Sequence, residues 1–82
     1  MSGYDAVADL RGRRARGERA AEMLAALAAN GLSSTEIRLA FAEAFRLDSY
    51  AVGPIGGWLP AGGGELTLEQ VAAFLDAELG RV

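Results

Sequence analysis

Residues 33–45, Ser33-Ser-Thr-Glu-Ile-Arg-Leu-Ala-Phe-Ala-Glu-Ala-Phe45, open with a hydroxyl three positions before a carboxylate. Ser33 and Glu36 can each satisfy a backbone N–H that a helix start otherwise leaves orphaned, which is the capping-box pattern. Behind that cap, Ile37, Phe41, Ala44 and Phe45 recur three and four positions apart, the spacing of one helical face. Leu39 falls on the other side with Thr35, Ala42 and Arg46, so the helix is predicted to carry apolar surface in two directions.

The same grammar extends on either side. Upstream, from Glu18, the residues Ala20, Leu24, Leu27 and Ala28 keep helical spacing until Asn30-Gly31-Leu32, where glycine can take the left-handed conformation that ends a helix. Downstream, Thr67 and Gln70 form a second capping box, and Leu68, Val71, Phe74, Leu75 and Leu79 follow until Gly80. At the N-terminus, Ser2 and Asp5 precede Ala6, Val7 and Leu10, which reads as a short capped helix ending at Gly12. Arg11 to Arg19 reads as a connector or a frayed helical turn, because Gly12 and Gly17 each disfavour helix by about 1 kcal/mol relative to Ala.

Between Leu47 and Leu66 the composition turns to glycine, proline and isolated large apolar residues, and no helical period is visible. The expected fold is therefore all-α, one domain of three or four short helices, with a Gly/Pro-rich loop before the last one and room in that loop for a minor two-stranded element. The expected core is Leu24, Leu27, Ile37, Phe41, Phe45, Val71, Phe74 and Leu75.

Composition bounds the function. The chain holds no His, no Cys and no Lys, all eight of its basic residues being Arg, so the usual general bases, thiolates, soft metal ligands and Schiff-base amines are missing. This points away from catalysis, and neither a cofactor nor a metal is expected. The chain is 51% hydrophobic, yet much of that is Ala, which favours helix but buries little area. A core so short of heavy side chains gains from a partner, whether another protein or a second copy in a dimer. No apolar run approaches a membrane span, and Asp5 and Asp9 lie where a secretory signal would be basic and then apolar, so a cytoplasmic location is expected. Arg in place of every Lys, with abundant Ala and Gly, suggests bacterial coding bias.

Charge is unevenly spread. Residues 11–19 carry five Arg against one Glu, net +4, leaving −7 on the remainder (three Arg, ten acids). Arg11, Arg13, Arg14, Arg16 and Arg19 are candidate contacts for an anion or an acidic partner. If helical, steps of about 100° per residue would scatter them around the axis. Leu39, Ile55, Trp58, Leu59 and Glu78 are candidate partner-binding residues. Trp58 is the sole tryptophan, set among glycines either to plug the core or to anchor a partner. Glu78 falls on the apolar side of the last helix and needs either a counter-charge or a route to water.

Two resemblances follow from these residues. Leu27 to Ala40, with Gly31 at the turn, Ser33 opening the second helix and Ile37 pinning it to the first, resembles a helix-turn-helix. That resemblance implies DNA binding through the helix starting at Ser33, against which the acidic net charge of −3 weighs. Gly62 to Gln70, continued by Val71, Phe74 and Leu75, resembles the second half of an EF-hand, but Leu59, Ala61, Gly63 and Gln70 stand where that family places its oxygen ligands, so calcium binding is not implied. The function expected overall is a non-catalytic protein–protein interaction module, an accessory subunit, inhibitor or adaptor, with a helix-turn-helix DNA-binding protein as the alternative.

Overall fold

The computed structural model describes residues 3–60 and 62–81. Within them lie five α-helices, α1 (Ala6–Ala15), α2 (Ala20–Ala29), α3 (Ser34–Phe45), α4 (Ser49–Val52) and α5 (Leu68–Leu79), with a 3₁₀ helix at Gly53–Gly57 and no strand among the described residues. The all-α expectation stands. The helix count and the long structureless loop need correction.

Both capping boxes form. Ser33 Oγ accepts the Glu36 N–H at 3.2 Å and Glu36 Oε1 accepts the Ser33 N–H at 2.9 Å. Thr67 and Gln70 repeat the exchange at 3.2 and 2.9 Å. These bonds satisfy donors that have no partner within the helix. The N–H of Ser33 holds the Glu36 carboxyl below the usual carboxylate range.

The first helix does not stop at Gly12. Asp5 caps it by accepting the Ala8 N–H at 3.0 Å, while Ser2 lies outside the described residues. The helix then runs to Ala15, taking in most of the arginine segment read as a connector. The glycine penalty is opposed by bonds from that segment: Arg13 Nε reaches Asp9 Oδ2 at 3.0 Å across one turn, and Arg11 donates to the carbonyls of Ala44 and Glu43 at 3.3 and 3.4 Å. The last two are unpaired carbonyls in the final turn of α3, so one side chain both closes α3 and docks α1 on it.

Residues 47–57, read as loop, are largely helical. Asp48 caps α4 by accepting the Ala51 N–H at 2.8 Å. Pro54 sits in the opening turn of the 3₁₀ helix, where its missing N–H has no intrahelical acceptor to satisfy and its fixed φ fits. Ile55, Val52 and Trp58 enter the core from this segment, at 0, 2 and 8% exposure. The loop that remains is closed by the Leu66 N–H donating to Gly57 O at 2.9 Å. Gly64 lies so close to this closure that a Cβ there would come within 2.7 Å of both Gly57 O and Leu59 N.

Helix α1 packs chiefly on α3 and α2 chiefly on α5. Leu10, Met23, Leu24, Leu27, Ile37, Phe41, Ile55, Val71 and Leu75 are fully buried at their centre. Phe45 packs at the core's edge, its ring 5.7 Å from that of Phe41. Phe74 is not a core residue: it is 53% exposed, because the buried stripe of α5 runs through Val71, Ala72, Leu75 and Leu79. Helix α2 starts at Arg19, which has no acceptor side chain to offer as a cap. The acceptor comes instead from α5, where Asp76 Oδ1 takes the Ala20 N–H at 3.0 Å across 56 residues of sequence.

Asp76→Ala is expected to cost about 1 kcal/mol, the usual worth of a helix cap, with Asp76→Asn retaining most of it, as read by urea denaturation. Gly64→Ala is expected to cost about 1–3 kcal/mol by backbone collision, whereas Gly53→Ala, which meets nothing within 4 Å, is expected to leave the midpoint within about 0.5 kcal/mol.

Candidate functional site

Where α4 and the 3₁₀ helix run beside α5, the surface opens into a groove of about 460 Å³. Helix α4 and the turn after it contribute Ser49, Tyr50, Ala51, Gly53 and Pro54, and α5 contributes Phe74 and Glu78. Phe74 and Glu78 are four residues apart and so share a face of α5. Tyr50, immediately after the first residue of α4, is 88% exposed, and with Phe74 it leaves two aromatic rings in water beside one concavity. Aromatic rings are the side chains most often found to dominate protein interfaces, since they offer large rigid area at little entropic cost.

Glu78 is the only ionisable side chain in the groove's acidic-or-basic inventory apart from the Tyr50 phenol. Its carboxylate lies 3.5 Å from the guanidinium of Arg81, one turn on, with the Glu side chain 27% and the Arg side chain 74% exposed. Glu78 therefore has both the counter-charge and the access to water that its place on an apolar face requires.

The other sequence candidates are dispersed. Ile55, read as a partner anchor, and Trp58, read either as a core plug or as an anchor, are both buried, because the helical turns of residues 49–57 carry them under the fold; Trp58 takes the plug's place. Leu39 and Leu59 are exposed at 61 and 46%, and neither lines the groove. Tyr50 escaped the sequence reading, along with Phe74 as a surface residue. The signal for Tyr50 was Asp48, a capping residue two positions ahead that marks a helix start inside a segment otherwise read as loop.

The arginines of residues 11–19 contact the chain itself, although all but Arg13 are exposed. Arg13 bridges Asp9 and Glu18, both at 3.0 Å; Arg16 lies 3.8 Å from Glu18; and Arg14 donates to the Glu18 carbonyl at 3.4 Å. Arg19 lends its backbone N–H to Glu22 at 3.1 Å. Tyr4 joins this network, its hydroxyl donating to Asp9 Oδ2 at 2.9 Å. Burial first, then that hydrogen bond to Asp9, pushes the Tyr4 phenol up to about 12, while the bond from Arg13 holds the Asp9 carboxyl below its usual value. The cluster fastens α1, and none of its residues lines the groove beside α4 and α5.

No protein-family model matches the chain, and no curated protein or solved structure is similar to it.

The cluster around Asp9 makes stability depend on pH at both ends. The depressed Asp9 carboxyl contributes stability that is present above roughly pH 4 and is lost on acidification. The raised Tyr4 phenol contributes stability that is complete below roughly pH 10 and is lost as pH climbs through about 12. Melting temperature measured across pH is expected to fall at both extremes, with Asp9→Asn flattening the acid limb and Tyr4→Phe the alkaline one.

Proposed function

We propose that the chain is a non-catalytic protein-interaction module and that the groove between α4 and α5 is its working surface. The observation that carries this reading is the pair of solvent-exposed aromatics, Tyr50 and Phe74, at a mainly apolar concavity whose other polar side chains are Ser49 and Glu78. Exposed apolar ground around a cleft is the mark of a docking surface rather than of an ordinary solvated face. The rings left in water lie apart from the Asp9–Arg13–Glu18 ion pairs that fasten α1, which separates a folding surface from a contact surface. An accessory subunit, inhibitor or adaptor fits this economy of residues.

The DNA-binding alternative draws on the α2–turn–α3 connection, where Gly31 takes φ 83° and α3 follows at Ser34. The outward positions of α3 include Thr35, Glu36, Leu39 and Glu43, with Arg38 half-buried and Arg46 exposed at its end, so two carboxylates that repel phosphate offset the two cations that would attract it. The groove reading is accordingly the better supported.

Tyr50→Ala and Phe74→Ala remove exposed side chains, so each variant is expected to melt within about 0.5 kcal/mol of the native chain. Immobilised native chain is expected to retain a discrete protein from its source cell, with retention lost in both groove variants and kept in Leu39→Ala. Equal retention by all four, or retention of duplex DNA that weakens steeply with salt, would overturn the reading.

A further inference from the structure

We propose that the occupant of the groove is a basic amphipathic segment of another protein, seated by its apolar face against Tyr50, Pro54 and Phe74 and placing a Lys or Arg side chain on Glu78. The inference rests on the interaction reading above and adds the chemistry of the partner. Its first support is the character of the groove: about 460 Å³ of mainly apolar space with one carboxylate in its lining. A wholly apolar occupant would strand that carboxylate away from water, at a desolvation cost that a paired cation offsets in part.

The second support is the end of α5. A helix C-terminus presents unpaired carbonyls and a partial negative charge, which basic residues in the last turn ordinarily offset. The last turn of α5 has none and instead contains Glu78. The nearest cation is Arg81, beyond the helix, in an i,i+3 pair at 3.5 Å whose guanidinium is 74% exposed. An exposed pair of this kind holds weakly, so an incoming cation can take its place. The third support is the surrounding field: residues 47–82 carry five acids, Asp48, Glu65, Glu69, Asp76 and Glu78, against the single Arg81. A net charge of −4 over the part of the chain that builds the groove steers a basic segment toward it.

A second copy of this chain is a poor occupant. Its basic segment is α1 and the turn after it, where Arg11 is bonded to the carbonyls of α3 and Arg13 to Asp9 and Glu18, and Leu10, the residue that would supply an apolar face beside them, is buried in the core. Offering that helix to a neighbour would dismantle the fold. A separate protein with a free basic and apolar stretch has no such obstacle.

The test is fluorescence anisotropy with three labelled helical peptides added to the intact chain: one with Leu at i, i+4 and i+7 flanked by Arg, one with the Arg replaced by Glu, and one with the Leu replaced by Ser. Only the Arg/Leu peptide is expected to bind, more weakly as salt rises. Glu78→Gln is expected to weaken it by roughly three- to tenfold, and Phe74→Ala by at least as much. Circular dichroism melts of both variants distinguish a lost contact from a lost fold. Binding of the Glu/Leu peptide as tight as that of the Arg/Leu peptide, but still lost in Phe74→Ala, would overturn the cation and leave the interaction reading standing. Failure of all three peptides would overturn the partner chemistry, whereas the interaction reading itself would be overturned by unchanged retention in the groove variants or by salt-sensitive retention of duplex DNA. Concentration-dependent self-association that Phe74→Ala abolishes would make the occupant a second copy and likewise overturn the proposal.

Discussion

The hydrogen bond from the Ala20 N–H to Asp76 Oδ1 joins the start of α2 to the last turns of α5, and much of the molecule is set by it. Arg19 cannot cap α2 from its side chain, so the helix is completed only when α5 has arrived in register. That register brings Val71, Ala72, Leu75 and Leu79 into the same core as Met23, Leu24 and Leu27. The same register leaves Phe74 and Glu78 on the side of α5 that borders α4, where the cleft lies. The division between a buried stripe and a wet edge carrying Phe74 and Glu78 follows from the burial of Val71, Ala72, Leu75 and Leu79, and the Asp76 bond is made in that same register.

The same device recurs at the other helix pair. Arg11 reaches back from α1 to the terminal carbonyls of α3, so each of the two main packings includes a polar bond that is local to neither helix. In a chain whose helices are rich in Ala, burial alone supplies little area per residue, and such bonds add specificity of register where bulk is scarce. The arginine segment, which from composition suggests a binding tail, is spent mostly on holding the N-terminal helix in place.

Helices α3 and α5 were legible because each cap is written within one turn of sequence, Ser33 with Glu36 and Thr67 with Gln70, with an apolar period behind it. Helix α4 and the 3₁₀ turn were not, since four and five residues are too few to display a period, and Gly53 and Pro54 read as breakers when seen without their position in the first turn. Gly12 misled in the opposite sense, its local penalty being overcome by bonds from Arg11 and Arg13. At the cleft, Glu78 was legible as a charge out of place on an apolar face. Phe74 was not legible as a surface residue: it lies only about 60° around the helix from Val71, and which flank of a stripe is buried depends on elements elsewhere in the chain. Trp58 and Ile55 went inward for the same reason, carried under by helical turns that spacing alone did not reveal.

The crowding at Gly64 separates the glycines of this region into two kinds. Gly62 and Gly63 are held by dihedral angle, at φ 98° and 88°, with open space around them, whereas Gly64 is held by want of room between two stretches of main chain. For anyone using the molecule as a scaffold, these are different permissions. A peptide graft or spectroscopic label can enter at 62–63 by supplying its own turn, but at 64 it would pry open the loop's closure on Gly57 and disturb the floor on which Trp58 rests.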